Sequence, residues 1–339
     1  FVSNRPLKDS YFDLKNRLEG FRFDNIAAAL QNWTSALLNN WTHYWLNTTK
    51  KKGVAFSGGL SMNIKANGDL LDSSLIDWLS VPASGGDESV SAGACFLKAK
   101  EKKINIFPIS SPYLGEAASK NEEVYFDKLK DTDLNQDDFL ILDNFDNKMI
   151  AKLIFNDEII ARCSGKAEFG ARALGNRSIL ANPKNPNNIK IINDSIKNRD
   201  FWMPFTPSIL EEKNQILLEN KKNLSSPYMT IGFQTKNTAK NIIPAALHMA
   251  DYSARPQFVS KSTNPEYWDL INEFYKLSDI PCLLNTSLNI HGEPMNYSVS
   301  DAVRTLAISD LDFLIVPQNR LVIKKSSKSK IIDYFNIDL

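Results

Sequence analysis

The stretch GKAEFGARALGNRSIL, residues 165–180, combines glycines and arginines in a pattern typical of an anion-binding loop. Its three glycines permit tight turns and let a ligand approach the backbone closely. Arg172 and Arg177 each carry a rigid fork of N–H donors that suits phosphate or carboxylate oxygens. Between Arg162 and Arg199, eight Lys or Arg residues face two acids, in a chain of net charge +1. These features predict a polyphosphate site, although a solvated basic face explains the charge equally well.

Size and composition are those of a globular protein with two domains. The chain has 339 residues, 43% hydrophobic and 23% charged. No apolar run of about 18 residues indicates a membrane span, and the near-neutral charge argues against bulk nucleic-acid binding. The isolated Cys95, Cys163 and Cys282 fit neither a disulfide framework nor a zinc site, which favours the cytoplasm. Because the chain opens on Phe1, without Met or a signal peptide, we expect a fragment or a processed product.

Two strand–turn–helix units predict an α/β lobe near the front of the chain. A short buried strand runs into Gly58 and Gly59, and a second strand, at 78–81, runs into a Gly-Gly-Asp turn that ends at Asp87. Each turn places backbone N–H groups and a helix N-terminus where an anion can bind. The lysine of a P-loop is absent. Glycines that only turn the chain, and a capping role for Asp87, therefore remain alternatives.

An aromatic-rich helix precedes these units. Asp24 can cap it, and apolar residues recur at three- and four-residue steps up to Tyr44. We expect this apolar stripe to pack in the core rather than bind a cofactor. The stripe consists of Ile26, Leu30, Trp33, Leu37, Trp41 and Tyr44.

The second half of the chain is predicted to form another α/β domain after a charged connector at 101–147. A strand at 158–163 leads into the glycine–arginine stretch, and a further strand is expected at 228–233. A buried strand at 281–284 ends in short hydrogen-bonding side chains that begin with Asn285. That junction is typical of a ligand site at a strand end, with an Asx or Ser turn as the alternative.

Cations from separate segments are predicted to converge on this junction. A helix over 188–197 ends near Lys197 and Arg199, and a polar loop over 248–257 holds Arg255. The helix is followed by FWMPFTP, which we expect to form an extended, buried wall. We expect these cations to gather, with the first arginine of the opening stretch, around one small activated anion.

Six motifs, in this order, resemble the family of nodulation-protein and antibiotic O-carbamoyltransferases. They are FSGGLSMN, PASGGDESVSAGA, EFGARALGNRSILANP, KNRDFWMPFTPS, DYSARPQFV and LLNTSLNIHGEP. The resemblance runs with gaps from about Ala27 to Ile323, and its specificity comes from the ordered set rather than from a single motif.

The resemblance implies an α/β fold in two parts. Residues 1–100 would be the C-terminal part of an actin-like, sugar-kinase-type ATPase domain in which an acceptor is carbamoylated, with 101–147 as the connector. Residues 148–339 would be a YrdC-like domain with a twisted mixed sheet, in which ATP and carbamoyl phosphate form carbamoyl-adenylate. The carbamoyl group then passes to a hydroxyl of a small-molecule or glycan acceptor. Family members bind iron at the transfer site, and Mg²⁺ is expected with ATP.

The resemblance also implies roles for single residues. Those at the family's carbamoyl phosphate and nucleotide positions are Arg172, Lys197, Arg255, Asn285 and Ser287. Arg177 either contacts phosphate or braces the loop. The nucleotide-side loop is matched by Gly58, Gly59 and Asn63, and an iron ligand by Asp87. Cationic groups would neutralise the charge that develops as pyrophosphate leaves.

The sequence departs from the family pattern at two points. Met203 stands where the family usually has Arg immediately before Pro-Phe. In addition, the family's first lobe should precede residue 1, including the histidines that share the iron with Asp87. The resemblance therefore implies a missing lobe, in the same polypeptide or as a partner, and a homo-oligomer is a further possibility.

Two other functions remain open from the sequence. The first is tRNA threonylcarbamoyl-adenylate synthesis, because that family shares the YrdC-like fold. The second is an RNA-binding module without chemistry. This alternative is disfavoured because no aromatic residues alternate with the cations to stack on bases.

Overall fold

A computed structural model describes residues 10–198 and 203–337, which form a front lobe and a larger sheet domain. The elements of the front lobe are α1 (Ser10–Leu18), α2 (Phe23–Thr49), β1 (Gly53–Ala55), α3 (Ile64–Leu71), β2 (Trp78–Ser80) and α4 (Val90–Glu101). β1 and β2 pair in parallel as a two-stranded sheet. The two strand–turn–helix units predicted from the sequence are thus confirmed.

The sheet domain is built on eight strands flanked by helices. Its strands are β3 (Phe139–Leu142), β4 (Ile160–Cys163), β5 (Arg177–Ala181), β6 (Thr206–Leu210), β7 (Gln257–Val259), β8 (Cys282–Ser287), β9 (Phe313–Val316) and β10 (Arg320–Lys324). Its helices are α5 (Asn147–Phe155), α6 (Asn187–Ile192), α7 (Ala239–Ile242), α8 (Pro265–Ser278), α9 (Val299–Ala307) and α10 (Lys328–Phe335). The strand order is β3-β10-β9-β4-β5-β8-β6-β7. Only β4–β9 and β6–β7 pair in parallel, so the sheet is mixed.

Local sequence explains where the main helix on the sheet begins and which face it buries. The side chain of Asn264 accepts a hydrogen bond from the backbone N–H of Tyr267, and Pro265 occupies the first turn of α8. The buried residues of α8 recur at three- and four-residue steps: Tyr267, Leu270, Ile271 and Phe274. This apolar face packs against the sheet.

One hydrophobic core joins the front lobe to the sheet domain. Leu38 and Leu70 of the front lobe belong to the same buried cluster as Ile231 of the sheet domain. A polar contact crosses the same boundary, because the buried Asn67 Nδ2 donates to the backbone oxygen of Thr230 at 2.7 Å. The two parts therefore pack as one body. Among the described residues, no helix combines the length and the apolar character needed to cross a membrane.

The aromatic stripe of α2 is exposed, so its prediction as core was wrong. The exposed fractions are 62% for Trp33, 51% for Trp41 and 62% for Tyr44. The residues that α2 buries are Ser35, Leu38, Thr42 and Leu46. The period of 3.6 was correct, but the buried face is a different one, in which two leucines alternate with Ser35 and Thr42, and α2 packs on α3.

Two segments of the sheet domain also differ from expectation. Residues 101–147, predicted as a connector, contribute β3, which pairs with β10 at the edge of the sheet. The strand expected at 228–233 does not form; this segment makes one isolated bridge, Phe233 to Ala254. It packs on the front lobe instead, where Gly232 N–H donates to Ile64 O at 3.0 Å.

The junction between the lobes predicts the effect of a single methyl group. A Cβ at Gly68 would lie 2.6 Å from the backbone oxygen of Gly232, which cannot move aside as a side chain can. Gly68→Ala should lower the free energy of unfolding by about 1–3 kcal/mol, measured by chemical denaturation. Gly93→Ala in α4 is the matched control, because no atom lies within 4 Å of its Cβ position. The control should keep or raise stability, by up to about 1 kcal/mol; equal losses in both variants would contradict the clash.

Candidate active site

A cavity of about 440 Å³ opens at the edge of the sheet where β6 begins and β8 ends. The residues predicted to hold the anion all line it: Arg172, Lys197, Arg255, Asn285 and Ser287. The structure thus brings together side chains that lie up to 115 positions apart in the sequence (287 − 172). Met203, Pro204 and Phe205 form one wall. Of the remaining residues predicted near this site, Arg199, Phe201 and Trp202 lie outside the described residues.

The loop that carries Arg172 is shaped by the buried carboxylate of Glu168. Its Oε1 accepts hydrogen bonds from the backbone N–H groups of Leu174 and Asn176, both at 2.8 Å, and of Arg177 at 3.1 Å. One carboxylate oxygen therefore gathers three amides of a glycine-rich turn. Sequence reasoning missed this residue, although it stands inside the quoted stretch.

Further side chains fix the same loop from the other side. Tyr113 Oη and Gln257 Nε2 both donate to the backbone oxygen of Leu174 at 2.8 Å. Burial raises the pKa of Tyr113 to about 12, so its hydroxyl keeps the proton that it donates. These bonds hold the backbone of the loop in place without a ligand.

Arg177 braces the loop and does not line the cavity. It is 1% exposed, and its guanidinium donates to four backbone oxygens: those of Tyr297 (2.8 Å), Asn176 (2.9 Å), Ser164 (3.3 Å) and Gly165 (3.3 Å). These contacts use its Nε and Nη1 donors within the protein. They favour the bracing role over a contact with phosphate.

Arg172, unlike Arg177, lines the cavity and lacks such a set of backbone acceptors in the described part of the chain. Burial lowers the pKa of its guanidinium, and no described carboxylate forms an ion pair with it. Its buried Nε has no hydrogen-bond partner among the described residues. A desolvated cation that lines a cavity is a place where an anion binds favourably.

Lys197 is fully buried and is delivered by a π-helical turn, Asn193–Lys197, that follows α6. Its Nζ donates to the backbone oxygens of Ser287 (2.5 Å) and Asn289 (3.0 Å), and to Asn289 Oδ1 (2.7 Å). The ammonium is therefore held at the tip of β8. Asn289 also lines the cavity and was missed, although it lies in the LLNTSLNIHGEP motif.

Asn285 and Ser287 lie on β8 itself, so the alternative of an Asx or Ser turn was wrong. β8 extends through Ser287 because it pairs on both sides, with β5 and with β6. Asn285 Nδ2 donates to the backbone oxygen of Ala173 at 3.2 Å and to Ser208 Oγ at 3.0 Å. These bonds join the tip of β8 to the loop that carries Arg172, residues 168–177, called the arginine loop below.

The site residues predicted in the front lobe lie outside this cavity. Gly58 has φ +102° and donates its N–H to the oxygen of Gly85, which ties the two glycine turns together, with Gly59 opening the next helical turn. Asn63 caps α3 by accepting from the N–H of Ala66 at 3.1 Å. Asp87 is exposed at the start of a short 3₁₀ turn.

The expected iron centre does not fit the described part of the chain. Within residues 10–198 and 203–337, no group of three or more His, Cys, Asp or Glu side chains is placed to hold a metal ion. Asp87 alone offers a single carboxylate, whereas iron sites of this kind add two histidines. No chemical step is therefore assigned to a metal held by these residues.

The arginine loop nevertheless abuts the turn that leads to Asp87. Gly170 has φ +106°, and a Cβ there would lie 2.8 Å from the backbone oxygen of Ala83 and 3.2 Å from Ser84 Cβ. Only glycine permits both this backbone conformation and this close approach. The loop that carries Arg172 and the turn that leads to Asp87 thus pack directly against each other.

A mixed sheet flanked by helices, with a cavity at its edge that is lined by Arg172, Lys197 and Arg255, is the arrangement of an anion-binding α/β protein. Sequence comparison identifies the class more closely: residues 3–96 match the family described as carbamoyltransferase N-terminus, and residues 151–325 match carbamoyltransferase C-terminus. The chain belongs to the carbamoyltransferase family. Membership of a family of transferases argues against an RNA-binding module without chemistry.

Relatives with similar sequences are longer than this chain. Nodulation protein NolO of Bradyrhizobium diazoefficiens is 33% identical over 86% of this chain and 53% of its own length. Nodulation protein NolNO of Sinorhizobium fredii is 32% identical, over 90% and 44%. An uncharacterised protein of Methanocaldococcus jannaschii is 32% identical, over 86% and 48%. The chain therefore spans about half the length of the curated relatives that it matches.

Similarity to a solved structure is weak. Full-length HypF in its phosphate- and nucleotide-bound form shares 15% identity over 52% of this chain and 24% of that chain, with a TM-score of 0.35. A likeness of this size carries no argument about fold or function.

The two arginines of the loop should respond oppositely to truncation. Arg177→Ala removes a donor from four carbonyl oxygens, and among the described residues only those of Asn176 and Gly165 keep a backbone N–H partner. This change should lower the free energy of unfolding by about 3 kcal/mol. Arg172→Ala removes a desolvated cation and should leave stability within about 0.5 kcal/mol of the parent, or above it. Denaturant unfolding of both variants measures the difference. A large loss in Arg172→Ala would show that this side chain is structural.

Proposed function

We propose that this chain forms carbamoyl-adenylate from ATP and carbamoyl phosphate, and takes part in transferring the carbamoyl group to an acceptor hydroxyl. The observation that supports this most is the convergence of Arg172, Lys197 and Arg255 with the tip of β8 around one cavity. Three cations without a carboxylate among the cavity-lining residues suit a polyanionic substrate pair. Family membership supplies the carbamoyl chemistry.

The proposed reaction has three steps: hydrolysis of carbamoyl phosphate, adenylation of carbamate and transfer to the acceptor. Water opens the bond between carbonyl carbon and ester oxygen of carbamoyl phosphate, which releases phosphate and carbamate. A carbamate oxygen then attacks the α-phosphorus of ATP, the α–β anhydride bond breaks, and pyrophosphate leaves with its electron pair. The mixed anhydride that remains carries the carbamoyl group to the acceptor hydroxyl, releasing AMP. Mg²⁺ accompanies the nucleotide in this proposal.

The cavity residues divide the work by charge. Arg172 and Arg255 would neutralise phosphate oxygens, and Lys197 would stabilise the charge that develops as the leaving group departs. Asn285 and Ser287 lie at the strand tip and would hold the small planar carbamoyl group. Met203 supplies an apolar wall and no cation, so phosphate is bound here by the other cations.

We also propose that the front lobe is completed by further protein. α4 buries none of its residues, and large apolar side chains such as Trp33, Trp41 and Leu97 are exposed. A parallel sheet of two strands is far smaller than the covered sheets in which parallel strands normally occur. An added lobe that extends this sheet would complete an actin-like domain, next to a YrdC-like sheet domain, and would supply the remaining metal ligands.

Carbamoyl-phosphate-dependent exchange of pyrophosphate into ATP tests this function on the chain as it stands. Arg172→Ala and Lys197→Ala should each reduce the exchange rate by at least about 100-fold, because each removes a cation from the charge that develops. Lys190→Ala is the matched control, since Lys190 is an exposed cation of the same basic segment. Its rate should equal that of the parent.

The outcomes separate the two enzyme functions. Exchange that requires bicarbonate and threonine, and ignores carbamoyl phosphate, would favour threonylcarbamoyl-adenylate synthesis. Exchange that persists unchanged in Arg172→Ala or Lys197→Ala would remove the roles assigned to the cavity.

A further inference from the structure

Asn289 has a fixed amide orientation. Its Nδ2 donates to the backbone oxygens of Ile290 at 2.9 Å and Glu293 at 2.8 Å. Because carbonyl oxygens only accept, the amide cannot be turned over. Its Oδ1 therefore faces Lys197 Nζ at 2.7 Å and Ser287 Oγ at 2.6 Å. Both lone pairs of this oxygen are then in use.

This arrangement fixes the hydroxyl hydrogen of Ser287. Asn289 Oδ1 has no hydrogen to give, so the Ser287 hydroxyl must donate its own to that oxygen. Ser287 Oγ also lies 3.2 Å from Lys197 Nζ, the longest of four contacts that share three ammonium hydrogens, so at most one of its lone pairs is used there. The second lone pair remains on a side chain that lines the cavity. Toward a ligand, Ser287 can therefore only accept.

Asn285 offers a second acceptor on the same face of β8. It lies two residues before Ser287, and side chains at that spacing point to one side of a strand. Its Nδ2 is committed to Ala173 O and Ser208 Oγ. Its Oδ1 is buried, and no described residue gives it a hydrogen. The residue also lines the cavity.

We propose that Asn289 is a positioning residue that makes this cavity select acyl phosphates whose acyl group carries NH₂. An amide NH₂ has two hydrogens to donate and accepts none, which matches the acceptors of Ser287 and Asn285. A methyl group in that place leaves both acceptors without a hydrogen. Sites built around a hydrogen bond to a substrate N–H reject the analogue that lacks it by large factors. The inference rests on the proposed function, in which the acyl group is carbamoyl.

Two stable probes isolate this property. Phosphonoacetamide keeps the NH₂ of carbamoyl phosphate and replaces the ester oxygen by a methylene. Acetonylphosphonate has the same skeleton with a methyl group in place of NH₂. Calorimetric titration of the full chain should give a dissociation constant at least about 100-fold higher for acetonylphosphonate.

Substitution of Asn289 should change this ratio and not only the affinity. In Asn289→Ala the Ser287 hydroxyl is free to rotate, and the ratio should fall about tenfold, the scale of one hydrogen bond in a buried site. Asn289→Asp keeps the accepting oxygen and should restore the ratio to within about threefold of the parent. Asn296→Ala is the structural control: Asn296 is a buried amide that donates to Asp301 O and Thr305 Oγ, and it does not line the cavity.

The results distinguish the inference from the function on which it rests. If phosphonoacetamide binds and Asn289→Ala weakens both probes equally, Asn289 is merely structural, and the inference fails while the proposed function stands. If the parent binds both probes equally, selection by N–H is absent and the inference fails likewise. If neither probe binds the parent, both the inference and the proposed function are overturned.

Discussion

One buried carboxylate, that of Glu168, is the contact on which the site depends. Three backbone N–H groups of a glycine-rich turn meet at a single oxygen of this side chain, at 2.8 to 3.1 Å. Without it those amides would lie in the protein interior with no acceptor, and the turn that presents Arg172 would have no reason to keep its shape. Arg162 supports the same turn through the Gly175 oxygen. The position of Arg172, which lines the cavity, therefore depends on Glu168, which does not line it.

The cavity is assembled at an electrostatic cost. Lys197 is fully buried with its charge, and burial lowers the pKa of Arg172. Burying these two side chains costs desolvation free energy. Hydrogen bonds to the tip of β8 and to Asn289 offset part of this cost at Lys197. A phosphorylated ligand would recover part of that cost at Arg172, because it would bring a negative charge next to a guanidinium that forms no ion pair with a described carboxylate. The burial that fixes these cations in place would therefore also favour binding of an anion.

The sequence correctly predicted short secondary-structure elements and the residue types of the site. Its predictions failed where the structure depends on contacts with distant parts of the chain. Runs of apolar residues predicted β4 and the strand–turn–helix units correctly. The converging cations were predicted from motifs whose residue types suit an anion. The exposed stripe of α2 was misassigned because periodicity reveals an apolar face but not what covers it. The segment 228–233 has strand composition, yet its backbone meets the front lobe. Asn289 and Glu168 act through hydrogen bonds whose geometry no spacing reveals.

The contact of Gly170 with Ala83 joins the two lobes with no side chain between them. A position that admits only a hydrogen atom leaves no slack, so a shift of the turn at 83–84 must be answered by the arginine loop. A substitution that moves the backbone of either turn would therefore disturb the other. A chimaera that receives its front lobe from a relative would therefore need the turn at 83–84 and the loop around Gly170 from the same parent.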